Sequence, residues 1–136
     1  MTLNELYNLA EHENIDIEHF KLPHTKAISA MINGDCYIGM DYTQIKTTAD
    51  EKMRLGHEIG HCIQGSFYNI YSPIDIKSRH EYRANRWAYL NLVPVKKIKN
   101  AIKQGCNNNY ELAEHFDVTA EFMNKALEYY HERGEL

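Results

Sequence analysis

Thr48-Ala49-Asp50-Glu51, then His57-Glu58-Ile59-Gly60-His61, then Gly65: how this stretch folds decides the reading of the whole chain. Thr48 to Glu51 has the S/T-x-x-E form of a capping box, in which the first and fourth residues satisfy each other's free backbone N–H groups. A helix starting there carries Met53, Gly56, Gly60 and Ile63 at helical spacing and can close on Gly65 as its C-cap. Within it His57 and His61 stand at i and i+4, one turn apart on one face. Two imidazoles so placed can hold one divalent cation from the same side. Glu58 can reach a water beside that cation without ligating it. The bland alternative is a solvated helix with two unrelated histidines. Gly56 and Gly60 argue against it, because each costs about 1 kcal/mol relative to Ala in a helix interior. They predict that another element packs close against the backbone.

A site with two histidines needs a further protein ligand. One zinc-protease pattern would place Gly three residues and His six residues after His61, but those positions are Gln64 and Phe67. Glu81 is the candidate instead. It opens Glu81-Tyr82-Arg83-Ala84-Asn85, twenty residues after His61, in an apolar-periodic stretch that runs to Leu92 and stops before Pro94. Asn85 lies one turn beyond Glu81, where its amide oxygen can accept the free ring N–H of a ligating histidine and fix its tautomer. Glu81 has a competing reading, since Ser78-Arg79-His80-Glu81 is also a capping-box pattern. Asp75 is expected to precede this helix, and His80 points about 100° around it from Glu81.

An H-E-x-G-H helix, an E-x-x-A-N segment some twenty residues later and an apolar helix ending in L-x-x-P (Leu90-Asn91-Leu92-Val93-Pro94) together resemble the ImmA/IrrE family of small metallopeptidases. So does a tail of the form L-A-x-x-F-x-V-T, here Leu112 to Thr119. The resemblance implies a zincin-like α+β fold, mainly helical with a small antiparallel sheet. It implies one Zn²⁺ per chain, held by His57, His61 and Glu81, with Glu58 as general base. It also implies a regulatory target: a protein substrate, a helix-turn-helix repressor of a phage or mobile element, inactivated by cleavage. The alternative is a metal-binding module that sequesters such a partner uncut. New fragments on incubation with the repressor separate the two.

The remaining residues fill in this frame. Ile28, Ala30 and Ile32 alternate, Asn33-Gly34 follows, and Cys36, Ile38 and Met40 alternate again, which predicts a β-hairpin over about 27–41. The resemblance implies that, as in zincins generally, an exposed strand there lets an extended substrate add itself to the sheet, the alternative being a hairpin that only covers the core. Leu3, Leu6, Tyr7, Leu9 and Ala10 give a first helix an apolar face. The 136 residues are read as one domain, with 1–104 the catalytic core and 105–136 a helical appendage. The N-terminus lacks the basic and apolar regions of a signal peptide, and no run approaches the roughly 18 apolar residues of a membrane span. Cys36, Cys62 and Cys106, odd in number and without C-x-x-C, are read as reduced thiols, so the expected location is the cytoplasm.

Charge narrows the partners. A net charge of −4 argues against general nucleic-acid binding. Lys77 to Lys103 nevertheless holds eight of the fifteen basic residues and one acid, Glu81, which reads as a solvated face or a dock for an acidic protein. The tail has a helix-turn-helix skeleton, but Glu111 to Glu132 is dominated by acids that would repel phosphates, so direct DNA binding is not expected. Tyr68, Tyr71, Tyr82 and His80 are near enough in sequence to steady an oxyanion, and the sequence does not choose among them.

Overall fold

The computed structural model describes residues 1–69 and 71–136. Thr2 and Glu5 form a reciprocal capping box that starts α1 (Leu3–His12), whose Leu6 and Ala10 are buried. Three strands follow: β1 (Asp16–His19), β2 (Ala27–Ile32) and β3 (Asp35–Met40). Asn33 and Gly34 take the positive φ values of 52° and 85° that a tight hairpin turn requires, so β2 pairs antiparallel with β3 as the sequence predicts.

The sheet is mixed rather than purely antiparallel. β1 pairs parallel with β3, in the order β1-β3-β2, which puts β3 in the centre and leaves β2 as an edge. Nothing local announces β1: Asp16-Ile17-Glu18-His19 has one apolar residue, and its pairing is set by a strand some twenty residues later.

Behind the sheet lies the long helix α2 (Thr48–Gln64), crossed by α3 (Ile74–Leu92). The cap of α2 sits one residue earlier than the sequence signal suggests: the Thr47 hydroxyl, not that of Thr48, accepts from the Asp50 N–H. Gly65 closes the helix in the left-handed conformation, with φ 60°. α3 starts at Ile74, after Pro73, so Ser78 to Glu81 lies in the helix interior and is no capping box, while Asp75 sits in the first turn. α4 (Val95–Lys103) buries Ile98 and Ala101 and leaves Lys96, Lys97, Lys99 and Lys103 in solvent. α5 (Asn109–Phe116) and α6 (Ala120–Glu132) complete the chain.

One core joins all these layers. Ile38 and Met40 of β3 meet Leu55 and Ile59 of α2, with Leu92, Ile98, Met123 and Tyr130 contributing from the later helices. Tyr130 is fully buried, and its hydroxyl lies within 3.0 Å of the Tyr89 and Val93 carbonyls, so α6 satisfies the frayed end of α3. Lys52, also buried, donates to the Phe116 carbonyl at the end of α5.

Both helix-interior glycines of α2 face α3. A Cβ on Gly60 would lie 2.8 Å from the Ala84 carbonyl oxygen and 3.2 Å from its Cα, and one on Gly56 would lie 2.8 Å from a Leu92 methyl. Ile63, grouped with them by spacing, is instead exposed.

The cysteines correct the sequence reading. Cys36 and Cys62 are not thiols but a disulfide with a Cα–Cα distance of 5.8 Å, and Cys106 alone is free. Cys62 follows His61, so its side chain leaves α2 on the side facing β3, whose inward row Cys36, Ile38 and Met40 brings Cys36 to meet it. No C-x-x-C spacing signals a pair 26 residues apart.

Two outcomes follow from this packing. Gly60→Ala should lower the unfolding free energy by about 2 kcal/mol, because the contact is backbone and cannot rotate away. Gly56→Ala should cost less, since the Leu92 side chain can yield and helix propensity returns about 1 kcal/mol. Urea titrations of both variants would measure the difference. Closing the 26-residue loop with a disulfide is worth about 3 kcal/mol by chain entropy, so reductant should lower the urea midpoint of the parent chain and leave a Cys36→Ser/Cys62→Ser variant unmoved.

Candidate metal centre

α2 and α3 run antiparallel where they touch. Ala84, the residue nearest Gly60, lies between Glu81 and Asn85, while Gly60 lies between His57 and His61. This close backbone approach therefore faces the two histidines across to the glutamate and the amide.

The distances are short and convergent. His57 Nε2 lies 3.2 Å from His61 Nε2 and 2.9 Å from Glu81 Oε2, and His61 Nε2 lies 3.1 Å from Glu81 Oε1. The rings stand nearly perpendicular, at 82°. One donor atom from each of the three residues falls within 4.8 Å of the others, close enough to share one metal ion.

Both Nδ1 atoms are turned outward to acceptors. Asn85 Oδ1 lies 2.8 Å from His57 Nδ1, with the amide oriented to present its oxygen. His61 Nδ1 lies 2.6 Å from the Ser66 carbonyl. Gly65 makes that second contact, since its left-handed turn folds Ser66 back over the helix end and returns the Ser66 N–H to the His61 carbonyl at 3.0 Å. With Nδ1 carrying the proton in each ring, both neutral imidazoles aim a lone pair at one point, together with a carboxylate. Three electron-rich groups converging like this repel one another unless a cation lies among them. Two imidazoles and a carboxylate are the donor set of a catalytic zinc site with a coordination position left open.

The electrostatics agree. When Nε2 also carries a proton, hydrogen bonds from His57, then His61, hold the Glu81 carboxyl well below the usual carboxylate range despite its partial burial. For His61 burial is the largest influence and pulls the pKa down, yet the bonds to Glu81 and the Ser66 carbonyl together raise it. The cluster draws positive charge.

Glu58 is buried, 9% exposed, and its Oε1 accepts from the Ser29 hydroxyl on β2 at 2.7 Å. Of the four possible donors near the site, Tyr68 is the one at the cluster: its hydroxyl donates to Glu81 Oε1 at 2.8 Å. Burial, then that bond, pushes its pKa up to about 12, so it stays protonated at neutral pH. His80 stacks on Tyr68 at 6.1 Å, Tyr82 packs towards Tyr129, and Tyr71 is 88% exposed. The cluster opens into a cleft of about 610 Å³, bounded by Ile28 and Ser29 of β2 on one side and by Phe122 and Lys125 of α6 on another.

Two contacts escape sequence reasoning, Ser66 through its backbone and Ser29 through its hydroxyl. Ser29 leaves one trace: it is the polar member of the row Ala27, Ser29 and Met31, where a core-facing strand calls for apolar residues.

Removing the acceptor for His57 Nδ1 frees that ring to rotate. Asn85→Leu should weaken divalent-cation affinity about 10- to 100-fold, measurable by competition with a chromophoric chelator, with the fold retained.

Residues 43–128 match the peptidase family described as IrrE N-terminal-like domain. No curated protein and no solved structure shows a match. The matched span covers more than half of the chain and includes His57, Glu58, His61, Glu81 and Asn85, while Ser29 lies before it. The chain belongs to the IrrE N-terminal-like family, a family of metallopeptidases.

Proposed function

We propose that the chain is a zinc-dependent endopeptidase that cleaves a peptide bond in a regulatory protein. The observation that carries this reading is the convergence of His57 Nε2, His61 Nε2 and the Glu81 carboxylate, with Glu58 one residue along the same helix. His57, His61 and Glu81 are the ligands in this reading. Asn85 and the Ser66 carbonyl hold the two rings in the tautomer that presents Nε2. Zinc, when bound, supplies Lewis acidity that polarises a carbonyl and makes a water more acidic.

The protein's own groups do the rest. Glu58 accepts a proton at its carboxylate from the attacking water and returns it to the leaving amine. Tyr68, protonated and anchored beside the cluster, is the donor available to the developing oxyanion. β2 offers the free side of an edge strand along the cleft, on which an extended segment of substrate can lie. A flexible or transiently extended stretch of a folded regulator fits that geometry better than a buried one. The substrate proposed is a helix-turn-helix repressor of a phage or mobile element, which follows from the resemblance of the motifs rather than from the cleft. The acidic tail leaves no role for direct DNA contact.

Metal content and cleavage together test the reading. The purified chain should carry about one zinc by plasma mass spectrometry, lost in His57→Ala and in Glu81→Ala. Glu58→Gln should keep the metal and slow cleavage of the co-encoded repressor by about 100-fold or more. Undiminished cleavage by that variant would remove Glu58 as the base, and a stable complex without fragments would make the protein a sequestering module.

A further inference from the structure

Ser29 stands where a polar side chain is out of place. Along β2 the side chains of Ala27, Ser29 and Met31 share the face of Cys36, Ile38 and Met40, their cross-strand partners, and those three partners are buried. Ile28 turns the other way, towards Phe20 over Gly39 on the outer face. Ser29 is thus half-buried opposite the fully buried Ile38, between buried Ala27 and exposed Met31. A hydroxyl there costs stability unless it is bonded, and its partner is a carboxylate: Oγ donates to Glu58 Oε1 at 2.7 Å. Glu58 has the converse need, because a buried carboxylate requires a donor. Among the described residues Ser29 is the side chain that donates to it.

We propose that Ser29 is the positioning residue for Glu58. Its hydroxyl fixes one carboxylate oxygen, so that the other is turned to the cleft where a proton must be taken up. The bond is charge-assisted and short, and it joins the base on α2 to the edge strand that lines the substrate cleft. A carboxylate without this tether can rotate about its terminal torsions, which are broad and weakly restrained. The proposal rests on the peptidase reading above, in which Glu58 is the base.

A test that needs no knowledge of the substrate uses Co²⁺ as a spectroscopic stand-in for zinc, since the same nitrogen and oxygen ligands accept it. The full chain loaded with Co²⁺ is titrated with acetohydroxamic acid and, separately, with azide, following the visible spectrum. Acetohydroxamic acid binds as its anion: its O–H bond breaks and the proton passes to a carboxylate beside the site, here Glu58. Azide is already anionic and transfers no proton. Ser29→Ala should weaken acetohydroxamic acid about tenfold while azide stays within about twofold, and Ser29→Thr should restore the acetohydroxamic acid affinity. Glu58→Gln should weaken acetohydroxamic acid further than Ser29→Ala does. Equal affinities for acetohydroxamic acid in the parent chain and in Ser29→Ala would overturn the proposal. So would parallel losses for both ligands with a lowered thermal midpoint, which would mark Ser29 as a packing residue. Failure of a different kind is distinguishable: no Co²⁺ spectrum, or full acetohydroxamic acid binding by Glu58→Gln, defeats the peptidase reading itself and this proposal with it.

Discussion

The backbone approach of α2 and α3 at Gly60 and Ala84 sets the geometry of everything around it. With a Cβ excluded at Gly60, the helices come close enough for the side chains three residues before and one residue after each of these positions to meet across the gap. Each ring on α2 is paired with a group on α3, His57 with Asn85 and His61 with Glu81. Ile59 and Leu55 on the opposite side of α2 are fully buried against the sheet, so α2 is held from both sides. The two glycines weaken the helix as a helix, and that cost is offset by the tertiary contact they permit.

What that contact assembles is a cluster with an electrostatic demand. Burying polar groups is tolerable when each is paired, and both outward-facing ring nitrogens here are paired, His57 Nδ1 with Asn85 and His61 Nδ1 with Ser66, while Tyr68 donates to Glu81 Oε1. Among the described residues, His57 Nε2, His61 Nε2 and Glu81 Oε2 have only the other members of the cluster as partners. In the neutral tautomers those outward bonds impose, the interior of the cluster is all lone pairs. The raised proton affinity of His61 and the depressed carboxyl of Glu81 express the same demand for positive charge. A metal cation could meet it from a position within reach of all three residues.

How much of this was legible in the sequence follows from how local each signal is. α2 was legible because its cap, glycines and histidines fall within eighteen consecutive residues, although the cap itself is Thr47. Glu81 and Asn85 were legible because two histidines one turn apart, read as ligands, call for a third group that an E-x-x-A-N segment can supply. The decoy, a capping box at Ser78 to Glu81, fails because α3 starts four residues earlier at Ile74, where Pro73 offers no side-chain cap to read. The hairpin was legible through Asn33-Gly34, a turn that needs those two residue types. β1, the Cys36–Cys62 disulfide and the Ser29–Glu58 bond were not, since each joins residues some twenty to thirty positions apart with no periodic signature. Non-local pairing is where a pattern read along the chain has nothing to measure.

The sheet and the tail then complete the cleft from opposite directions, and each is tied to the helix pair by a polar bond. On the sheet side, the disulfide and the Ser29–Glu58 hydrogen bond fasten β3 and β2 to α2 on either side of the histidines. On the tail side, Tyr130 closes the last carbonyls of α3, and its neighbours one and two turns back on α6, Phe122 and Lys125 among them, face the cleft. Shortening the chain before α6 would therefore do more than remove a surface helix. It would leave the Tyr89 and Val93 carbonyls without their buried donor and strip one wall from the cleft. The inner face of α6 is committed to α3, and its exposed face carries Glu121, Glu128 and Glu132, a charge that would repel phosphates.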